Sequence, residues 1–287
     1  MIGTLFTFGH GYSARALSRS LAPSGWRMIG TTRDAIHVAE IRASGAEPLI
    51  WPGHAPDLDG VTHLLISTAP TAEGDPVLAE LRDEITARAK QFTWVGYLST
   101  TAVYGDHQGN WVDEETPPTP TAKRGLWRVR AETQWSEIPD LPLHIFRLAG
   151  IYGPGRGPFS KLKKGGLRRI IKPDQVFSRI HVDDIAQVLA ASMTQPNPGA
   201  IYNVCDDEPV PPQDVIGYAA ELQGLPMPPA VPFDQADLTP MARSFYNENK
   251  RVRNERIKSE LGVSLMYPNY RVGLEALMQE TPDGAGL

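Results

Sequence analysis

GTLFTFGHGYSARALSRSLA, residues 3–22, is the stretch whose reading decides the fold. An apolar run over 3–9 reads as a β-strand, and SARALSRSLA over 13–22 reads as a helix. Between them GHGYSA, residues 9–14, fits the GxGxxA form of a strand–turn–helix nucleotide turn. There Gly9 permits the tight turn, Gly11 lets backbone amides approach a pyrophosphate, and Ala14 keeps the helix close to its strand. The N-terminus of that helix presents unpaired N–H groups and a partial positive charge to an anion. Two glycines in a βα turn are a weak signal alone. Their place on the first strand of a βαβ series gives them weight.

The rhythm continues outward. Strand-like runs at 26–32, 46–51, 61–68 and 92–100 alternate with helical patterns at 35–44 and 76–90. Further on come a helix near 123–136, a strand at 141–150, a strand and helix within FSRIHVDDIAQVLAASM, and a short strand in AIYNVC. Continuous apolar runs mean strands covered on both faces, and repeated βα units mean a parallel sheet with right-handed crossovers. We therefore expect an α/β chain, a Rossmann-type doubly wound parallel sheet with a smaller C-terminal substrate lobe. Its boundaries are expected at 1–150 plus about 175–205 for the nucleotide-binding part, and at 151–174 and 206–287 for the lobe. YGPGRGPFSKLKKGG reads as loop, the proline-rich stretches EPVPP and LPMPPAVP mark the second lobe, YRVGLEALMQE reads as a terminal helix, and TPDGAGL as a frayed tail.

At the end of the second strand stand Thr31, Thr32 and Arg33. Hydroxyls and a guanidinium suit the 2′-phosphate of NADP(H), which a carboxylate would repel. NADP(H) is favoured over NAD(H); the competing reading leaves Arg33 solvated and Asp34 as a helix cap.

LSTTAVYGD (98–106), FRLAGIYGPGR (146–156), RIHVDDIA (179–186) and IYNVCDDEP (201–209), together with the glycine turn, make the chain resemble the extended short-chain dehydrogenase/reductases, the NAD-dependent epimerase/dehydratase group. The resemblance runs from residue 3 to about 278. It implies that Tyr12, Ala69, Pro70, Ala149 and Ile151 join Gly9, Gly11, Ala14, Thr32 and Arg33 around the cofactor, and that Thr100 hydrogen-bonds the substrate oxygen. The catalytic YxxxK of that family, anchored on Ala131 and Glu132, falls on Arg124 and Arg128: the pair has become RxxxR. One helical turn apart, both face the same side, at a cost of about 0.2–0.5 kcal/mol that anionic cofactor oxygens would offset. Arg128 is expected to keep the ribose contact. Arg124 cannot supply the missing acid, because a guanidinium keeps its proton. Thr100 alone, Tyr104, Tyr152 or Lys123 are the candidate substitutes.

Several features carry two readings. Arg156 reads as a grip on a substrate anion, and Arg147 as structural. SKLKKGGLRRIIK, residues 160–172, with six Lys or Arg, is a solvated helix face, or, as the resemblance implies, the border of a cleft for an anionic substrate, or a contact for nucleic acid or another acidic partner. In RIHVDDIA we expect Asp183 or Asp184 to cap a helix and pin the lobes. Trp94, Trp111, Trp127 and Trp135 read as packing or interface residues. The single cysteine, Cys205, reads as a small buried hydrophobe.

Composition narrows the classes. A net charge of −5 disfavours a nucleic-acid binder, no apolar run approaches the ~20 residues that span a bilayer, and the histidines form no HExxH or Cys/His cluster. We expect no metal, no membrane, no basic signal segment, a cytoplasmic location and, by resemblance only, a homodimer. Two functions stay open: an oxidoreductase, epimerase or dehydratase acting on a small polar, in one version anionic, carbonyl or sugar compound, and a non-catalytic NADP(H)-binding sensor or scaffold.

Overall fold

Every side chain of the first strand, β1 (Thr4–Phe8), is buried, as expected of a strand with helices on both sides of its sheet. The computed structural model of the chain describes residues 2–53, 56–163, 165 and 167–280. From β1 the chain runs through α1 (Tyr12–Leu21), β2 (Arg27–Thr32), α2 (Val38–Ala43), β3 (Glu47–Ile50), β4 (His63–Ile66), α3 (Pro76–Ala87), β5 (Trp94–Thr100), β6 (Trp111–Val112), α4 (Lys123–Ser136), β7 (Leu143–Leu148) and β8 (Gly150–Tyr152). It continues through α5 (Phe159–Lys163), β9 (Arg169–Ile171), β10 (Arg179–His181), α6 (Val182–Thr194), β11 (Ile201–Val204), α7 (Pro212–Leu222), β12 (Ala230–Pro232), α8 (Pro240–Phe245), β13 (Arg251–Val252), α9 (Glu255–Ser259) and α10 (Tyr270–Glu280).

Seven strands form one sheet in the order β11-β7-β5-β4-β1-β2-β3, every pair parallel. The chain builds outward from β1 to β3, then crosses back to lay β4 on the other side of β1. That reversal opens a crevice at the carboxyl ends of β1 and β4, where doubly wound sheets receive ligands. Strand period two divides the core. Leu5, Leu65, Leu98, Phe146 and Tyr202 pack with α1 and α6, whereas Phe6, Ile66, Val95, Tyr97 and Ile145 pack with α3 and α4. Trp94 and Trp135 are core residues, while Trp111 is half exposed beneath the guanidinium of Arg253. Cys205 is buried, its thiol donating to the Val252 carbonyl.

A third cluster, with Tyr152, Phe159, Val215, Ala219, Tyr270 and Leu274, is the core of the smaller lobe. The lobe contains a helix, α7, that the prolines of 209–212 had disguised; Pro212 opens it, a position where the missing N–H costs nothing. YGPGRGPFSKLKKGG is likewise not all loop, since α5 lies within it. The expected lobe boundary needs correction: Val252, Ile257, Leu261 and Val263 pack with the sheet core beside Tyr202 and Val204, and β13 pairs with β6. Apolar burial against β11 returns this part of 206–287 to the first lobe. The tail 281–287 lies outside the described residues, as do Lys164 and Gly166 of the basic stretch. No helix among the described residues is long and apolar enough to cross a membrane.

Candidate functional site

Gly9 ends β1 with φ +79°, and a Cβ there would lie 3.0 Å from the backbone nitrogen of Thr68, just after β4. Glycine is required both by the left-handed backbone and by that approach. Two bonds hold the turn to β2: Gly9 N–H donates to the Thr31 hydroxyl at 2.8 Å and His10 N–H to the Thr31 carbonyl at 2.8 Å. Thr31 is thus buried inside the turn, and its hydroxyl is not available to a 2′-phosphate; this corrects the expectation from its position. The His10 ring lies over Gly30, where a Cβ would sit 2.4 Å from it, and its Nε2 meets Ser44 Oγ at 3.1 Å. Burial, with Arg15 nearby, pushes its pKa down to about 4.

Gly11 differs from Gly9. A Cβ on it would meet no protein atom closer than 3.9 Å, so packing within the chain does not demand glycine there. The space it faces lies beside the first turn of α1, which has no acidic residue and no side-chain cap. Against Gly9, just after β4, the Thr68 hydroxyl is buried with no hydrogen-bond partner among the described residues, a condition native proteins rarely leave unrelieved. Ala69 is exposed and Pro70 buried beside it, and Ala14 is buried against the core. An open glycine, unopposed helix amides and an orphaned hydroxyl at the strand switch fit a dinucleotide diphosphate.

A second group of expected site residues lies on β5 and α4. Thr100 closes β5, and its Oγ1 accepts from Ala102 N–H at 3.2 Å, with no acceptor for its own proton among the described residues. Gly125 sets α4 down on this segment: a Cβ would lie 2.8 Å from the Ala102 carbonyl and 2.7 Å from Pro120 Cβ. Arg128 reaches β5, donating to the Leu98 carbonyl and, at 3.3 Å, to the Tyr97 hydroxyl. Arg124, one turn earlier, is exposed, as is Lys123. Ala149, buried between β7 and β8, and the half-buried Ile151 of β8 follow the strand that pairs with β5.

The tyrosines are committed elsewhere. Tyr104 is fully buried; it donates to Asn203 Oδ1 at 2.7 Å and accepts from Arg147 at 3.0 Å, and burial pushes its pKa up to about 12. Arg147 pairs with Glu132 at 2.8 Å, and Ser99 donates to the same carboxylate. Tyr152 is buried and lies 3.5 Å from the Asn269 carbonyl, its pKa raised by burial. Neither is placed to serve as the acid.

Other expected residues fall as follows. The Thr32 hydroxyl is occupied by the backbone of Asp34, at 3.1 and 3.2 Å. The Asp34 carboxylate caps the next turn through Ile36 N–H, and Arg33 is exposed beside it. Arg156 lies 5.6 Å from the ring centroid of Tyr12. In the basic stretch, Arg169 and Lys172 tether the carbonyls of Pro228 and Tyr246, so part of that charge holds the lobe together. His181, rather than either aspartate, caps α6, by accepting from Asp183 N–H at 3.3 Å. Asp184 is buried and binds the N–H groups of Met266 and Tyr267, so it pins the 266–267 segment to α6. No group of three His, Cys, Asp or Glu among the described residues could hold a metal ion.

Thr68, Gly125 and Glu132 were missed as site-building residues. Gly125 had left a signal: glycine costs about 1 kcal/mol inside a helix, so its presence there points to a close approach.

No protein-family model matches the chain. Protein YeeZ of Escherichia coli K12 is 28% identical over 280 residues, spanning 91% of this chain and 95% of YeeZ. A solved structure from Silicibacter pomeroyi DSS, described as a functionally unknown conserved protein, is 78% identical, with TM-score 0.96 over 97% of this chain and 99% of that one. At the level of fold, the chain is similar to dTDP-glucose 4,6-dehydratase of Bacillus anthracis in complex with NAD, at TM-score 0.79, 16% identity and 98% and 97% coverage. It is also similar to the human epimerase family protein SDR39U1 with NADPH, at TM-score 0.75, 15% identity and 96% and 99% coverage.

Proposed function

We infer the function of this chain from two premises: it belongs to one family with the conserved S. pomeroyi protein, and its fold is that of the extended short-chain dehydrogenase/reductases, the NAD-dependent epimerase/dehydratase group, in an atypical form. It binds NADP(H) in the crevice between β1 and β4 and acts as an oxidoreductase of the epimerase/dehydratase type on a small polar carbonyl or sugar compound. The observation that carries the reading is the pairing of an open Gly11 with an unpartnered, buried Thr68 hydroxyl at the strand switch.

Gly9, Gly11, Tyr12 and Ala14 would hold the diphosphate end, Ala69 and Pro70 the adenosine side, Arg128 the nicotinamide ribose, and Ala149 and Ile151 the ring. Arg33, with Asp34 turned away into its cap, favours a 2′-phosphate. When bound, the nicotinamide supplies a transferable hydride. Thr100 donates its free proton in a hydrogen bond to the substrate oxygen, and the exposed Arg124 stabilises negative charge there or on a neighbouring anionic group. An anionic substrate fits Arg124 and Lys123 on one turn. The location follows as cytoplasmic, where that cofactor is available.

The commitment of Tyr104 to Asn203 and Arg147 favours a second reading, an NADP(H) sensor without turnover. Titration with NADPH, followed by a panel of carbonyl compounds, separates the two. Binding with substrate-dependent NADPH oxidation, or with conversion of the substrate while the bound nicotinamide is recycled, supports the enzyme; binding with neither supports the sensor, and failure to bind either dinucleotide removes both. Arg124→Tyr restores an acid at the family position, and a gain of turnover would show that only the acid was lacking.

A further inference from the structure

We propose that Arg156 grips the diphosphate of the dinucleotide, an inference that rests on the cofactor reading above. Residues 153–156 form a small hairpin in which Gly153 and Arg156 exchange both backbone hydrogen bonds at 2.9 Å, so the base of the arginine is held in place. That hairpin is docked on the glycine turn. The hydroxyl of Tyr12, the first residue of α1 and the neighbour of Gly11, donates to the Pro154 carbonyl at 2.9 Å. Gly153, at φ +152°, packs so close that a Cβ would lie 2.6 Å from that hydroxyl. The Arg156 guanidinium rests over the Tyr12 ring, 5.6 Å from its centroid, within the range in which an arginine is held by an aromatic face and keeps its donors free.

Arg156 is exposed and has no carboxylate in ion-pair range among the described residues. Asp183, whose charge is felt by Tyr12, lies 3.6 Å from His181. The guanidinium therefore lies over the side chain of the first residue of α1, the helix that follows the glycine turn, and its five donors meet no carboxylate among the described residues. A diphosphate is the bidentate partner that such a fork fits. The same hairpin leads directly into α5 of the smaller lobe, so the cofactor would tie the two lobes together through one side chain.

The test compares wild type, Arg156→Ala and Arg156→Lys by nicotinamide fluorescence titration. Arg156→Ala should weaken NADPH and NADH alike, by about ten- to a hundredfold, and leave unchanged the affinity for adenosine 2′-monophosphate, which lacks the diphosphate and is followed by calorimetry. Arg156→Lys should recover part of the loss. Unchanged melting temperatures of the free variants show that the chain still folds, as an exposed position allows. Wild-type affinity in Arg156→Ala overturns the proposal and leaves the cofactor reading standing, as does a loss confined to NADPH, which would make Arg156 a 2′-phosphate contact. Wild type that binds neither dinucleotide overturns the cofactor reading and the proposal with it.

Discussion

Glu132 on α4 and Arg147 on β7 form an ion pair at 2.8 Å with side chains only 7% and 4% exposed. The pair is satisfied on all sides: Ser99 donates to the carboxylate, and Arg147 also donates to Tyr104, which donates to Asn203. It fastens α4 beneath Thr100 and spans β5, β7 and β11. Removing one partner leaves the other charged and buried, so Glu132→Ala should cost about 3–5 kcal/mol. The double variant Glu132→Leu with Arg147→Met should recover most of that. Urea denaturation of both checks it; a single variant as stable as wild type would mean the pair is not closed to water.

The two glycines of the turn after β1 should separate stability from affinity. Gly9→Ala is strained at φ +79° and pressed on Thr68, and should lose about 1–3 kcal/mol of stability. Gly11→Ala meets open space and should lose less than about 1 kcal/mol, yet weaken dinucleotide binding by about tenfold or more. Thermal melts and titration of the two proteins side by side decide it.

On an open helix, Gly125→Ala would add up to about 1 kcal/mol of stability. Here the new methyl would lie 2.8 Å from the Ala102 carbonyl and 2.7 Å from Pro120. Overpacking of this kind costs about 1–3 kcal/mol. The expected outcome is a net loss of stability, accompanied by weaker dinucleotide binding as α4 is pushed off the Thr100 segment. A stabilised Gly125→Ala protein would show that α4 can move without consequence.

His63 packs edge-on to Trp26 at 4.7 Å, and burial lowers its pKa to about 4 from an ordinary 6.5. The unfolded chain binds the proton more readily, so this contribution to stability is complete above pH 6.5 and is lost as pH falls towards 4. Between pH 7 and 5 the loss is about 2 kcal/mol. His10 and His144 behave alike, both lowered to about 4 by burial. His63→Phe should abolish its own share, so that its stability relative to wild type improves by about 2 kcal/mol from pH 7 to pH 5. Equal pH slopes for the two proteins would contradict a neutral, buried His63.

Periodicity and turn chemistry are local, and they were enough for the parallel sheet, the glycine turn, and α4 and α10 to the residue. Local signals failed where a partner far along the chain sets the outcome. Apolar residues at 252–263 pack on β11 rather than on the lobe that their sequence neighbours build. Thr31 and Thr32 looked equivalent in sequence, yet the alternation of β2 gives one hydroxyl to Gly9 and the other to Asp34.

The residues themselves determined the doubly wound fold, because burial on both faces and βα repetition admit few other arrangements. They also put arginine at 124 and 128, where the resemblance expects a tyrosine and a lysine, since the identity of a residue is a matter of sequence, not of geometry. Only the tertiary structure decided which groups face the crevice: that Tyr104 and Tyr152 are sealed away, that Thr68 is left without a partner, and that Arg156 lies on Tyr12. Those outcomes come from side chains separated by tens of residues meeting in three dimensions, where burial and hydrogen-bond completion select the partners.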